Sequence, residues 1–223
     1  MKKNTYLIIV LLGVVVTGCK TEVLLDTSFS NLTDQPLHTE RANLELQVAS
    51  CVDYEDSRNP SENLLQVQEA IPNVFHGAKY KTCYTKQMES FASFEIPIGV
   101  GNIDSELLLT NDLNIVSDPQ NRLIYAHASE GLFRRFHDYL QSNLVSDLNL
   151  KVKVNIENDV QDEINYTGFA TFVGDYPCVQ CTFKSDIKQV ASFVLSDVSV
   201  EFIMGQNRWN HLQVLKFQLE WVI

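Results

Sequence analysis

Basic residues are scarce in this chain: 17 Lys and Arg stand against 28 Asp and Glu, a formal charge of −11. Affinity for nucleic-acid phosphates is carried mainly by Lys and Arg, so this balance argues against a nucleic-acid partner. It also has the wrong sign for electrostatic adsorption of the whole body to anionic lipid. Long apolar runs are missing too. Tyr6–Val16 comes nearest, and its 11 residues fall short of the ~20 that a spanning helix needs. No Gly-x-Ser-x-Gly elbow is present. The five histidines, His38, His76, His127, His137 and His211, make no HxH or HxxxH pair. A four-cysteine zinc site needs two closely spaced pairs, and there is one CxxC. No acidic stretch has EF-hand spacing. These absences leave no catalytic residue and no metal ligand to assign, and no cofactor is expected. Internal repeats, low-complexity tracts and Pro/Gly/Ser linkers are lacking as well, which favours one body with a conceivable sub-boundary near 142–147.

What is present begins at the amino terminus. Met1-Lys2-Lys3 is a positive n-region, Tyr6–Val16 an apolar core interrupted by Gly13, and Val16-Thr17-Gly18-Cys19 a small-residue approach to a cysteine. That order is a secretory signal, and its ending resembles the lipobox of bacterial lipoproteins. The resemblance implies that Cys19 receives a diacylglycerol, that the chain is cut between Gly18 and Cys19, and that the new amino terminus is acylated. Three acyl chains exceed the two signals that stable anchoring requires. Lys20 follows, where enteric-type lipoproteins retained in the inner membrane carry an aspartate, so the expected location is the periplasmic leaflet of the outer membrane. Removing 1–18 leaves 205 residues, 19–223, with 15 basic and 28 acidic side chains, a balance of −13.

Cys51, Cys83, Cys178 and Cys181 remain. An even count in an exported chain points to disulfides. Three pairings are possible, and Cys51–Cys83 with Cys178–Cys181 is preferred. Closing the longer loop, about 30 residues, stabilises by roughly 3–4 kcal/mol in the loop-entropy view. The CxxC could be a redox pair, but that chemistry needs a helix N-terminus, and Tyr176-Pro177 before it with Thr182-Phe183 after it reads as turn or strand.

Alternation with period two predicts strands over Val23–Phe29, Leu44–Val48, Met88–Val100, Leu123–His127, Leu148–Ile156 (Lys151 and Lys153 outward), Tyr166–Val173, Gln189–Met204 and His211–Ile223. Two helices are expected. One starts at Ser61 as N-cap, carries Leu64, Leu65, Val67 and Ala70 near one face, and is closed by Pro72. The other starts at Ser129 and buries Leu132, Phe133, Phe136, Tyr139 and Leu140. Asn158–Glu163 reads as a hairpin loop. The fold class is therefore mainly β, α+β, an antiparallel sandwich-like body with two helices. With strand pattern starting at Val23, the body should sit close to its anchor.

Cys19–Leu32, Cys51-Val-Asp-Tyr-Glu-Asp-Ser-Arg58, Cys83 and Phe94-Glu-Ile-Pro-Ile-Gly-Val100 resemble small lipoproteins carried by prophages and integrative elements. That resemblance covers about the first half and implies no defined chemistry. The acidic clusters Asp53-Tyr-Glu55-Asp56 and Glu157–Glu163 read as solvated loops. The expected function is a non-enzymatic, membrane-anchored module that binds an envelope or outer-membrane protein and alters the host surface for a mobile element, as in phage exclusion. An accessory role in assembling an envelope machine is the alternative, and a hydrolase with an unrecognised site the third reading.

Overall fold

The computed structural model describes residues 19–103, 111–142, 148–174, 176–204 and 211–220. The expected signal segment 1–18, with Gly18, and most of the conceivable boundary at 142–147 lie outside them. In chain order the elements are β1 Cys19–Ser28, α1 Phe29–Thr33, β2 His38–Val48, α2 Glu62–Val74, β3 Lys79–Lys86, β4 Glu89–Asn102, β5 Leu113–Asp118 and β6 Leu123–Ala128. They continue with α3 Glu130–Ser142, β7 Leu148–Glu157, β8 Glu163–Val173, β9 Tyr176–Ser185, β10 Val190–Leu195, α4 Asp197–Ile203 and β11 His211–Glu220.

Nine strands close into a barrel in the order β7-β1-β2-β4-β5-β6-β11-β8-β10, with β10 returning to β7. This corrects the expected sandwich. An alternating strand buries one face equally well in a sandwich or a barrel, so the pattern could not distinguish them. Closure is decided by β10, which pairs with β7 along Val190–Val194 and with β8 along Phe193–Leu195. Nor is the sheet wholly antiparallel. β1 runs parallel to β7, from Cys19 opposite Leu148 to Ser28 opposite Glu157, and β4 runs parallel to β5.

The ring thus has seven antiparallel and two parallel junctions. An odd number of reversals cannot close unless one strand changes direction. β8 does so. It pairs with β11 as far as Gly168 and with β10 from Thr171, and between them Ala170 takes a φ of 47°. Gly168 is required there, because a Cβ would lie 2.8 Å from Thr171 Oγ1. The carbonyl freed at Ala170 accepts the Ser199 hydroxyl at 2.7 Å and the Ser196 amide at 3.3 Å.

Two strands lie outside the ring. β3 pairs with β4 over Glu89–Glu95, and further along β4 its partner becomes β5, over Ile98–Asn102. Pro97, which has no N–H to donate, stands where the partner changes. β9 runs along β8 from Ile164 to Val173.

Side chains fill the barrel: Val23, Leu25, Leu44, Phe94, Ile96, Ile98, Val154, Ile156, Tyr166 and Phe193 are essentially fully buried. Helix α1 plugs the end where β1 finishes. Phe29 packs edge-on to Phe217 (5.0 Å) and Tyr166 (6.4 Å), and Leu32 is fully buried. Burial pushes the Tyr166 phenol up, with the nearby Asp159 charge adding to it. Because β10 runs against β7, and β7 runs with β1, β10 finishes at the end where β1 starts. Helix α4 follows it there and packs on β6, β7, β8 and β11 through Val200, Ile203 and Met204.

Four helices are present among the described residues, two more than expected. α1 occupies the end of a segment read as strand. The Ser28 hydroxyl accepts the Asn31 amide, and that cap turns Phe29 out of the strand. α4 replaces the end of the expected strand Gln189–Met204, for the same reason: Ser196 caps it by accepting from Ser199. α2 continues through Pro72 to Val74 rather than stopping before it. Its buried face is Leu64, Val67, Ile71 and Val74, with Leu65 half exposed. α3 begins at Ser129 as expected, whose hydroxyl accepts the Leu132 amide. Asn158–Glu163 is not a hairpin loop, since β1 and β10 occupy both edges of β7.

Two measurements test this packing. Phe29→Ala removes the aromatic plug, and chemical unfolding should show a loss of roughly 3–5 kcal/mol; a loss under ~1 kcal/mol would mean that α1 does not close the barrel. Asp159 fastens α1 from the β7–β8 connection, accepting the Ser30 amide at 2.9 Å and its hydroxyl. Burial opposes its charge, but the Ser30 hydrogen bonds prevail and hold the carboxyl below its usual range. A depressed folded pKa contributes stability above the unfolded pKa that is lost as pH falls through the folded one. Asp159→Asn should therefore cost about 1 kcal/mol at neutral pH, with the gap to the parent narrowing on acidification. A pH-independent gap would contradict the assignment.

Candidate functional site

The structure joins Cys51 to Cys83 and Cys178 to Cys181, each with Cα atoms 5.6 Å apart. Cys83 belongs to β3, and Cys178 and Cys181 to β9, so both bonds fasten strands outside the ring. Residues i and i+3 of a regular strand point to opposite faces. The Cys178–Cys181 bond therefore sits where the β8–β9 register is interrupted, opposite the bend at Ala170. The pair is on a strand and lacks the helix N-terminus that redox chemistry of the thioredoxin type uses.

The two hairpins flank the outer face of β1 and β7 and enclose a groove. One hollow, about 480 Å³, lies between Lys151 and Lys153 on β7, Val194 on β10, Phe172 at the end of β8 and Asp197 at the start of α4. A second, about 290 Å³, lies between Lys20 on β1, Glu45 on β2, Tyr84 and Lys86 on β3, and Phe91 on β4. The hollows adjoin, sharing Glu22 and Lys151.

Strand geometry explains the lining. Leu150, Val152 and Val154 turn into the barrel, which turns Lys151 and Lys153 out. Thr21 and Val23 are buried, which turns out Lys20 and Glu22. Glu22 lies directly opposite Glu45, a like-charge pair that is unfavourable on a sheet face. Tyr84 relieves it by hydrogen bonding to Glu45. Burial first, then that bond and the charges of Glu45 and Glu22, push the Tyr84 phenol up to about 12. Tyr84 also stacks on Phe91, centroids 5.9 Å apart. Lys20 pairs with Glu89 at 2.6 Å. The groove thus offers cations, a carboxylate pair and aromatic faces on a rigid floor, which suits a polar, extended ligand.

The other sequence candidates lie apart from it. His38 bonds Pro36 O and Glu40, and His137 stacks on Phe133. His127 is beside Asn114 and is the register partner of His211, a neighbourhood that a separation of 84 positions hid from the sequence. His76 comes within 3.6 Å of Asp112, and Ser129 donates to the same carboxylate. The wiring is not that of a triad: Ser129 gives its proton to Asp112 rather than to a histidine. Arg135 pairs with Asp112 and also donates to Val74 O at 2.8 Å, so this cluster ties α2 to α3. Asp53 accepts the amides of Glu55 and Asp56, Arg58 binds Asp56, and the hydrogen bonds from Arg58 hold the Asp56 carboxyl low. Among the described residues no group of three or more His, Cys, Asp or Glu is arranged to hold a metal ion.

Cys19 is the first residue of β1, opposite Leu148. No helix among the described residues is long and apolar enough to cross a membrane. Sequence reading marked Lys151 and Lys153 as outward but missed Glu22, Glu45, Tyr84 and Phe91. Their signal is the register of β1, β2, β3 and β4, which is not written in any local stretch.

No curated protein and no solved structure matches this chain. The model of a domain of unknown function, DUF7424, matches residues 21–219, nearly the whole described barrel. The chain belongs to the DUF7424 family.

Proposed function

We propose that this chain is an envelope lipoprotein, held by acyl chains on Cys19 in the outer membrane and facing the periplasm, whose barrel is a non-enzymatic protein-binding module serving a mobile element by altering the host surface. The observation that carries the binding reading is the placement of both disulfides on strands outside the ring. Cys51–Cys83 fastens β3, whose Tyr84 and Lys86 line the groove, and Cys178–Cys181 braces β9 alongside β8, whose Phe172 lines it. Pre-organised walls reduce the ordering cost of binding, and such bonds persist in an oxidising compartment. The anchoring reading is supported by the lipobox-like Val16-Thr17-Gly18-Cys19.

Cys19→Ser should abolish fatty-acid labelling and leave a larger, uncleaved form in the envelope. Labelling of the Ser variant at the parental level would sink the anchor.

The groove is tested by charge reversal. Lys151 and Lys153 form no ion pair with a described residue, so Lys153→Glu with Lys151→Gln, which keeps a carboxylate away from Glu22, the register partner of Lys151, should leave the unfolding midpoint near the parent's. In a susceptible host challenged with a phage panel, the parent should depress plating of at least one phage, and the double variant should restore it by about tenfold or more, the equivalent of ~1.4 kcal/mol of binding. Unchanged plating on every phage would remove the exclusion reading. Recovery of a resident secretion component by crosslinking, with no phage present, would move the protein to the assembly role.

A further inference from the structure

Strand register sorts the charges of the groove into rows, and one cation is left without a counterpart in its row. Lys20 pairs with Glu89 at 2.6 Å, and Lys86 stands opposite the same residue across the β3–β4 register. Lys151 stands opposite Glu22. One row further along β7, Lys153 has Leu24 of β1 on one side and Val194 of β10 on the other, and Val194 lies opposite Phe172 of β8. All four are half-buried. In the row beyond, Asp26 stands opposite Asn155, whose side-chain amide donates to it at 2.7 Å. Asp197 follows the end of β10, on the Lys151 side of the row. Lys153 itself makes no ion pair or hydrogen bond with a described residue.

A half-buried ammonium between apolar side chains attracts a carboxylate through less solvent screening than an open surface imposes. The same neighbours, Leu24, Val194 and Phe172, offer a ligand only apolar contact, so the row fits a carboxylate with an apolar group beside it. The hollow around it, about 480 Å³, has room for a few side chains and not for a folded surface. It is open on two sides. Toward β1 it runs into the second hollow past Glu22 and Lys151, and toward β8 it reaches Gly174, where an added Cβ would meet nothing within 4 Å. A chain laid across the strands can therefore pass through rather than end there. In an extended chain the side chains of one face recur about every 6.7 Å, whereas neighbouring strands of a sheet stand about 4.8 Å apart. An acidic side chain over Lys153 thus places the side chain two residues away between Val194, one strand off, and Phe172, two strands off.

We propose that the larger hollow selects the partner. It receives an extended segment of a partner protein that carries an acidic side chain and, two residues away, an apolar one, with the carboxylate on Lys153 Nζ and the apolar group over Val194 and Phe172. The proposal rests on the protein-binding reading of the groove and deepens it by naming the pattern recognised. Lys153 supplies the discrimination, because a neutral isostere of the acidic residue leaves the ammonium without a counter-charge.

A bead library of randomised octapeptides, acetylated and amidated so that no terminal carboxylate is present, provides the probe for the full-length protein purified from membranes in detergent. Retained peptides should be enriched in Asp or Glu two positions from Leu, Ile or Phe. Resynthesis of the best binder with Gln for its Glu should weaken binding to the parent roughly tenfold, as for loss of one hydrogen bond between charged groups. The same exchange should make no difference to Lys153→Gln, whose unfolding midpoint stays near the parent's. Lys153→Glu should select Lys or Arg where the parent selects an acid, and Val194→Asn should erase the apolar preference while keeping the acidic one. Retained peptides without an acidic position, an acidic preference that survives Lys153→Gln, or no retained peptide at all would each overturn the proposal. Phage plating reads the protein-binding role separately, so a chain that depresses plating yet shows any of these results counts against the acidic subsite alone.

Discussion

Strand β10 bonds to β7 along one edge and to β8 along the other, and the rest of the molecule is arranged to permit that. Because the ring contains an odd number of antiparallel junctions, β8 must turn, and the turn is concentrated between Gly168 and Thr171. Gly168 supplies the missing Cβ, Ala170 the left-handed φ, and Ser199 with Ser196 the donors for the exposed carbonyl. Helix α4 therefore both plugs the barrel and satisfies its sharpest corner. Those two hydrogen bonds tie closure of the sheet to formation of the helix.

The same closure explains where the groove lies. A strand has two edges, and β8 and β4 each have one edge shared between two partners, β11 with β10 and β3 with β5 respectively. At β4 this sends β3 out of the ring, and at β8 the remaining edge is taken by β9. Both displaced strands carry a disulfide, and the wall between them, β1 and β7, becomes a floor. Its outward residues are polar because the inward ones fill the core. Lysines and carboxylates therefore collect on a surface whose flatness is set by a packed interior. The chemistry of the groove, a like-charge pair relieved by Tyr84 and flanked by lysines, is that of recognition by hydrogen bonds and charge.

Several elements were readable from local sequence. Leu150, Val152, Val154 and Ile156 alternate with outward Lys151 and Lys153, and β7 is what they form. Ser61 and Ser129 announced α2 and α3 through their hydroxyls. Other elements were misread for identifiable reasons. Val198-Ser199-Val200 looks like a strand by composition, yet Ser196 caps a helix there and tertiary burial of Val200 and Ile203 decides in its favour. Phe29 alternates with Thr27 and Leu25, yet Ser28 ends the strand so that the ring can enter the barrel end. β5, with Leu113 to Ser117 buried on both faces, shows no alternation to read.

The sequence by itself determined which side of most strands faces inward, where two helices start, and which cysteines are close enough along the chain to make a short bridge. It also carries the leader-like segment and Cys19, on which the anchoring proposal depends. Only the tertiary structure decided that the sheet closes, that β3 and β9 leave the ring, and that Glu22, Glu45, Tyr84 and Lys151 share one groove. The physical reason is that side-chain periodicity records burial, a property of each residue with its surroundings averaged. Strand neighbours are chosen by backbone edges that carry the same donors and acceptors in every residue but proline, so their choice is made only when the whole ring competes for them at once.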